Sequence, residues 1–289
     1  MGERKLTRSQ ERFEHGGRVL HYVRSGEGPP VILLHNGGTS HAIWDELTPR
    51  LEGHECFAFD LLGFGDSSKP GSGYELSAHV ERLGAFIDAK GLAPVHLVGN
   101  CMGSAISLRF AMERPRDVRS LVLFNTLTPA TFKRGLYGPF TPLPTKAPGV
   151  IRFMSGLALG RSLGRFGVRT QLGRHGKDRG VDRRPELREA YASADQSRSL
   201  LEVLGDLPNY GVLDTFTPPP EFPPIFTLWG EENRVLPSRE GRVFVEGLRP
   251  ARQEWLEGCG HLPMLERPEV AAAMVHAFLT SPEAADSRA

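Results

Sequence analysis

The chain has 289 residues, enough for one large core or for one core carrying a small inserted domain. Its 39% hydrophobic and 24% charged residues suit a globular protein in water, and a net charge of +1 gives no overall reason to bind nucleic acid or a membrane. Three widely separated cysteines, Cys56, Cys101 and Cys259, show no metal-ligand spacing and are odd in number, so free thiols in a reducing compartment are expected. The start, residues 1–7, has charges but no apolar stretch behind them. Leu6 stands where a myristoylation signal has Ser or Thr, and no apolar run reaches the length of a membrane span. A cytoplasmic protein is the expectation.

In chain order, short apolar strands are expected at 19–23, 31–35, 56–60, 95–98 and 121–124, with helical stretches near 42–51, 76–90 and 102–113 between them. The pattern resumes with a strand at 225–229, a helix near 238–247, a strand at 253–256 and a helix over 268–279. The tail after Ser281 is small and polar and is expected to fray. Strands that are nearly continuous apolar runs, alternating with helices, indicate a parallel sheet covered on both faces.

The middle segment, about Pro129 to Pro218, breaks this alternation and reads as a mostly helical insertion over the sheet. The expected division is a core of residues 1–128 and 219–289 and a helical cap of residues 129–218. From Pro129 to Pro185 there are twelve Lys or Arg against only Asp178 and Asp182. Arg161, Arg165 and Arg169 recur at four-residue spacing, so a helix would place them on one face. A solvated helical face explains these arginines as well as an acidic partner does.

The run Val98-Gly99-Asn100-Cys101-Met102-Gly103 has the frame G-x-S-x-G with cysteine in place of serine. An apolar strand precedes it and a helix follows, so the chain turns sharply and holds the middle side chain up at the sheet edge. The flanking glycines let that turn close. Further landmarks are His35-Asn36-Gly37-Gly38, the run Asp60-Leu61-Leu62-Gly63-Phe64-Gly65-Asp66-Ser67, Trp229-Gly230-Glu231-Glu232-Asn233, and Gly260-His261-Leu262-Pro263.

In this order and spacing the landmarks resemble the α/β-hydrolase family across nearly the whole chain outside the middle segment. The resemblance implies an α/β-hydrolase fold: a mostly parallel eight-stranded sheet flanked by helices, with an inserted helical cap. It places Cys101 at the nucleophile and His261 at the general base, with the backbone N–H groups of Met102 and Gly37 forming the oxyanion hole. The chain departs from the family pattern in three places. Asn36 replaces the usual Gly of the His-Gly loop, and the acid position carries Asn233. The alternative acid position after the sixth strand carries Asn125, which leaves Glu231 and Glu232 as the nearby carboxylates.

Cysteine with asparagine is a consistent pair, because a thiol beside histidine can rest as a thiolate–imidazolium pair that needs no carboxylate. The helix starting at Met102 favours such a thiolate, and a thiol pKa below the ordinary value is expected. Transfer of an acyl group from a thioester onto Cys101 exchanges like for like, whereas transfer from an ester or amide is uphill. The expected activity is cofactor- and metal-independent acyl transfer from a thioester of a small-molecule acyl substrate. Coenzyme A or an acidic carrier protein would carry the donor, docking on Arg161, Arg165 and Arg169. Cysteine-bearing relatives implied by the resemblance are carrier-protein aminoacyl or acyl transferases and thioesterases and, more distantly, dienelactone hydrolases. Two alternatives stay open: an ester or lactone hydrolase using Cys-His-Asn, and a non-catalytic binding scaffold. Asn36, Trp44, Phe64 and Trp229 are candidate pocket residues, with core packing an equal account of the aromatic three. Cys56 and Cys259 read as packing residues.

Overall fold

The computed structural model describes residues 8–140 and 161–284. Eight strands form one sheet: β1 (Arg8–His15), β2 (Arg18–Gly26), β3 (Pro30–Leu34), β4 (Glu55–Phe59), β5 (Val95–Asn100), β6 (Val118–Phe124), β7 (Ile225–Gly230) and β8 (Arg252–Leu256). Their order across the sheet is β1-β2-β4-β3-β5-β6-β7-β8. β2 runs antiparallel to both its neighbours, and every other pairing is parallel. This is the α/β-hydrolase fold expected from the sequence.

The apolar runs are long because these strands are covered on both faces, and successive side chains serve opposite cores. Ile32, Leu34, Leu97, Leu121 and Leu123 pack into one cluster, whereas Val31, Leu33, Val98, Val122 and Phe124 pack into the other. The first cluster is closed by helices α1 (Leu76–Lys90) and α2 (Met102–Glu113), which contribute Phe86, Ile87, Ile106 and Phe110. Each such side chain contributes on the order of 1.5–3 kcal/mol through burial.

The segment between β6 and β7 contains α3 (Pro129–Lys133), α4 (Arg161–Gln171), α5 (Arg174–Asp178), α6 (Pro185–Ala192) and α7 (Ala194–Gly205), then a 3-10 turn at Leu207–Leu213. Lys146 and Arg152 of the basic run lie outside the described residues, as does the side chain of Arg161. After β7 come α8 (Ser238–Leu248), α9 (Pro263–Glu266) and α10 (Pro268–Leu279); α10 closes the second cluster with Val275 and Phe278.

Two expectations are corrected. The helix near 42–51 is instead two 3-10 turns, His41–Trp44 and Thr48–Arg50, with Pro49 in the second. Proline has no N–H to continue a helical ladder, which breaks the apolar pattern of Ile43, Trp44, Leu47 and Leu51 into separate turns. The apolar pattern also locates only seven of the eight expected strands; β1 escapes it because as an edge strand it is mostly polar and exposed.

Chain connections leave β3 toward β4 on one side, while β5 lies on the other, so the strand order reverses beside β3. At such a reversal a crevice opens at the carboxyl ends of the strands, and the loops after β3 and β5 meet there.

Candidate active site

Cys101 stands between the last residue of β5 and the first of α2, with φ 54° and ψ −106°. That left-handed conformation is costly for a residue with a Cβ, on the order of 1–3 kcal/mol. Its backbone is held on three sides: its N–H donates to the Phe124 carbonyl at 2.9 Å, and its carbonyl accepts from Ala105 at 3.1 Å and Leu127 at 3.2 Å. The glycines are required by close approach. A Cβ on Gly103 would lie 2.0 Å from the Leu34 carbonyl oxygen, and one on Gly99 would lie 2.4 Å from the backbone of Gly103 and Ser104.

The loop after β3 folds around Asn36. His35 Nε2 accepts the Leu61 N–H at 2.9 Å, so its proton sits on Nδ1 and is donated to the Asn36 carbonyl at 2.7 Å. Thr39 Oγ1 donates to both the carbonyl and Oδ1 of Asn36 at 2.9 Å. Asn36 therefore faces inward as part of the framework. Gly37 is left with its N–H unclaimed among the described residues.

His261 lies in the loop after β8 and is 1% exposed. Its N–H donates to the Gln171 carbonyl of α4 at 2.8 Å. Its carbonyl accepts from the amides of Asn100 at 3.2 Å and Asn125 at 3.3 Å. Its Nδ1 lies 3.1 Å from Nδ2 and 3.3 Å from Oδ1 of Asn233. Asn233 can be oriented without ambiguity: Oδ1 accepts the N–H groups of Val235 and Leu236, both at 3.0 Å, and Nδ2 donates to Asn125 Oδ1 at 3.0 Å. One Nδ2 hydrogen then remains for His261 Nδ1, which places the proton of the neutral ring on Nε2. Asn125 Nδ2 donates onward to Asn100 Oδ1 at 3.0 Å, and Asn100 Nδ2 to Asn36 Oδ1 at 3.2 Å. Four amides thus form a ladder beneath the site from Asn36 to Asn233.

Neither nearby glutamate reaches the histidine. Glu231 is bonded to Arg242 at 2.7 Å, and Glu232 accepts the Arg174 N–H at 2.8 Å.

Residues 29–268 match the family model for the alpha/beta hydrolase fold. The chain belongs to that family. It is 40% identical over 114 residues to Lipase 1 of Psychrobacter immobilis, a stretch covering 38% of this chain and 36% of the lipase. The haloalkane dehalogenase DbeA of Bradyrhizobium elkani superposes with a TM-score of 0.77 at 21% identity, covering 94% of this chain and 98% of DbeA. Est816, described as an N-acyl homoserine lactone degrading enzyme, gives 0.74 at 19% identity, with 93% and 100% covered. These two structural likenesses carry the fold alone.

Within this alpha/beta hydrolase, the electrostatics of the site run against a resting ion pair. Burial pushes the Cys101 thiol up to about 12, with the Met102 N–H as the group that favours the thiolate. Burial likewise pushes His261 down to about 3. The expected low thiol pKa is therefore corrected. Both groups are enclosed, with Cys101 7% exposed, and the amide ladder supplies no charge to offset the desolvation of either ion.

The insertion between β6 and β7 supplies neighbours that the sequence did not reveal. A Cβ on Gly37 would lie 2.7 Å from Leu200, and one on Gly38 would lie 3.4 Å from the Tyr191 hydroxyl. Gln171 Nε2 donates to that hydroxyl. The Tyr210 hydroxyl, fully buried in the cluster that holds Cys101, has no partner among the described residues. Glu266 accepts N–H groups from Gly260 at 2.8 Å and Leu262 at 3.1 Å, on the His261 loop, and from Gly173 at 2.8 Å and Gly176 at 3.2 Å of the insertion. One carboxylate thereby ties the two together.

Trp44, Phe64 and Trp229 are all fully buried in the two apolar clusters; Trp44 packs on Phe124, Phe64 on His35, and Trp229 donates to the Leu236 carbonyl at 3.0 Å. Cys56 and Cys259 are buried in the second cluster, where burial raises both thiols to about 12.

Among the described residues, His21, His41 and Asp60 bring donor atoms close enough to hold a cation, within 4.8 Å of one another. Asp60 is already filled: Oδ1 accepts the His41 N–H at 2.7 Å and Nδ1 at 2.9 Å, and Oδ2 accepts His21 Nδ1 at 3.0 Å and the Asp66 N–H at 2.8 Å. The cluster ties the loop after β3 to the end of β4.

Proposed function

We propose that this member of the alpha/beta hydrolase superfamily transfers acyl groups through a thioester on Cys101, with a thioester as donor. The observation that carries the reading is the amide at position 233, facing His261 beneath a cysteine at the nucleophile position. With Asn233 as its partner and a pKa near 3, His261 is a weak base. Taking a proton on Nε2 first requires the ring to move its own proton to Nδ1, toward Asn233 Oδ1 at 3.3 Å. Even pushed up to about 12 by burial, the Cys101 thiol gives up its proton to such a base more readily than water, with a pKa of about 15.7, does.

In the proposed reaction the Cys101 sulfur adds to the thioester carbonyl carbon as its proton passes to His261. The electron pair of the C=O bond moves onto oxygen, facing the N–H groups of Met102 and Gly37. Collapse re-forms the carbonyl and breaks the bond to the donor sulfur, which leaves with the proton from His261. An acceptor thiol or amine then reverses these steps on the acyl-Cys101. Coenzyme A or an acidic carrier protein is the proposed carrier of the donor, with Arg161, Arg165 and Arg169 as its docking residues. Ester or lactone hydrolysis by the same residues is the second reading, favoured by the local likeness to a lipase.

The test is incubation with acyl thioesters of N-acetylcysteamine, followed by intact-protein mass and peptide mapping. An acyl adduct on Cys101 is expected, with more product on an added thiol than released as free acid, and Cys101→Ala should form none. Absence of an adduct in the unaltered protein would sink the reading. Release mainly as free acid, faster still from esters or lactones, would hand it to the hydrolase.

A further inference from the structure

Tyr191 lies outside every motif of the sequence, yet two parts of the site meet at its hydroxyl. Its hydroxyl would be 3.4 Å from a Cβ on Gly38, which places it against the loop that carries the Gly37 N–H. Its oxygen accepts from the side chain of Gln171, whose own carbonyl takes the His261 N–H. Burial raises the pKa of the phenol, and a negative charge on Cys101 would raise it further. Because the phenol oxygen is an acceptor toward Gln171, its proton is available, and among the described residues no acceptor takes it.

We infer that Tyr191 is a further catalytic residue, whose O–H donates a hydrogen bond to the thioester carbonyl oxygen as charge develops there. This rests on the acyl-Cys101 reading above and adds to it a third donor, a side chain from the insertion beside two backbone N–H groups from the core. The geometry around the phenol suits the task. Its ring lies against Gly167 of α4, where an added Cβ would be 3.4 Å from it, and its oxygen is held by Gln171, so little reorganisation is needed when the oxyanion forms. Burial raises its pKa, so it stays a protonated donor throughout the neutral range. The oxyanion hole is then complete only when the insertion is seated.

The experiment measures the single-turnover rate of Cys101 acylation in Tyr191→Phe, which removes one oxygen and keeps the packed ring. The probes are the acetyl and 3-hydroxybutyryl thioesters of N-acetylcysteamine. Loss of an oxyanion donor costs about 10²–10³-fold in rate, and a fall of at least tenfold is expected with both probes, with the melting temperature unchanged. Tyr137→Phe, which removes a neighbouring phenol bonded to Thr170 at 3.2 Å, should leave the rate as it was. An unchanged rate in Tyr191→Phe would overturn the inference. A fall confined to the 3-hydroxybutyryl probe would overturn it too, because the phenol would then serve the acyl substituent. If the unaltered protein forms no adduct with either probe, the acyl-Cys101 reading itself fails, which is a distinguishable result.

Discussion

His41 and His261 stand in loops over the same sheet, and their pKa values are moved in opposite directions. Burial works against charge on His41, but the hydrogen bond and charge of Asp60 outweigh it and raise its pKa. His261, more completely buried and with Asn233 as partner, falls to about 3. At position 233 the amide oxygen accepts two backbone N–H groups, as one oxygen of a carboxylate could. The difference lies at the second atom, which is a donor where a carboxylate would have an acceptor. One such atom decides whether the partner favours the charged ring or leaves it neutral with its proton on the far nitrogen.

The largest effect that follows concerns acid. His35 is lowered to about 4, and His79, His96 and His261 to about 3, in each case with burial as the largest cause. Unfolded, each would titrate near 6.5. Below that value the unfolded chain binds more protons than the folded one, so the stabilisation present above pH 6.5 is lost as pH falls toward 3. Well below 6.5 each ring costs about 1.4 kcal/mol per pH unit. His41 acts in the opposite sense, contributing below 6.5 and losing its contribution as pH rises through its raised pKa. Burial lowers His54 as well, and five against one predicts a much lower melting temperature at pH 5 than at pH 7.5. A flat profile in differential scanning fluorimetry would mean that these rings are already charged in the fold.

Next in size is Asn233→Asp, which makes the two sites alike. The carboxylate should raise the His261 pKa, read by NMR titration of the ring, and turn its proton to Nδ1. Release of the acyl group to water should then rise about tenfold or more, since a positioned base contributes roughly 10²–10⁴-fold. Stability should fall by about 1–3 kcal/mol in the denaturant midpoint, because Asn125 Oδ1 loses a donor and faces a second acceptor. An unmoved His261 titration would break the comparison.

The core was legible because its elements are set by local periodicity. The helices at 76–90, 102–113 and 268–279 keep their expected bounds. The elbow was legible because Gly99 and Gly103 mark a backbone approach that no other residue permits. The amide ladder was not, since Asn36, Asn100, Asn125 and Asn233 come from four separate strand ends and meet only when the sheet forms. The thiol state was misread for a related reason: a helix N-terminus is visible in sequence, but the burial that outweighs it arises only in the folded chain, where Cys101 shares a cluster with residues as distant as Tyr210. Tyr191 itself gave no signal, because its role depends on facing Gly38 across the crevice.

The smallest expected effect lies on the basic stripe, where a charged pair again decides what a side chain can do. Arg165 bonds Asp182 at 2.8 Å and Arg169 approaches it at 3.5 Å, and the Asp182 side chain is 1% exposed. Part of the stripe's charge is therefore spent within the insertion. The arginines themselves remain about half exposed, so each pair is worth no more than about 1 kcal/mol. The double variant Arg165→Gln/Arg169→Gln should lower the melting temperature slightly and raise the KM for a coenzyme A thioester a few-fold. The N-acetylcysteamine thioester lacks the phosphates and should be unaffected. The difference between donors should shrink with added salt, as the screening length falls below the roughly 8 Å of physiological ionic strength. Equal loss with both donors would mean that the arginines act by holding Asp182 and the insertion in place. No loss with either would make them a solvated face, and donor docking on this helix would be excluded.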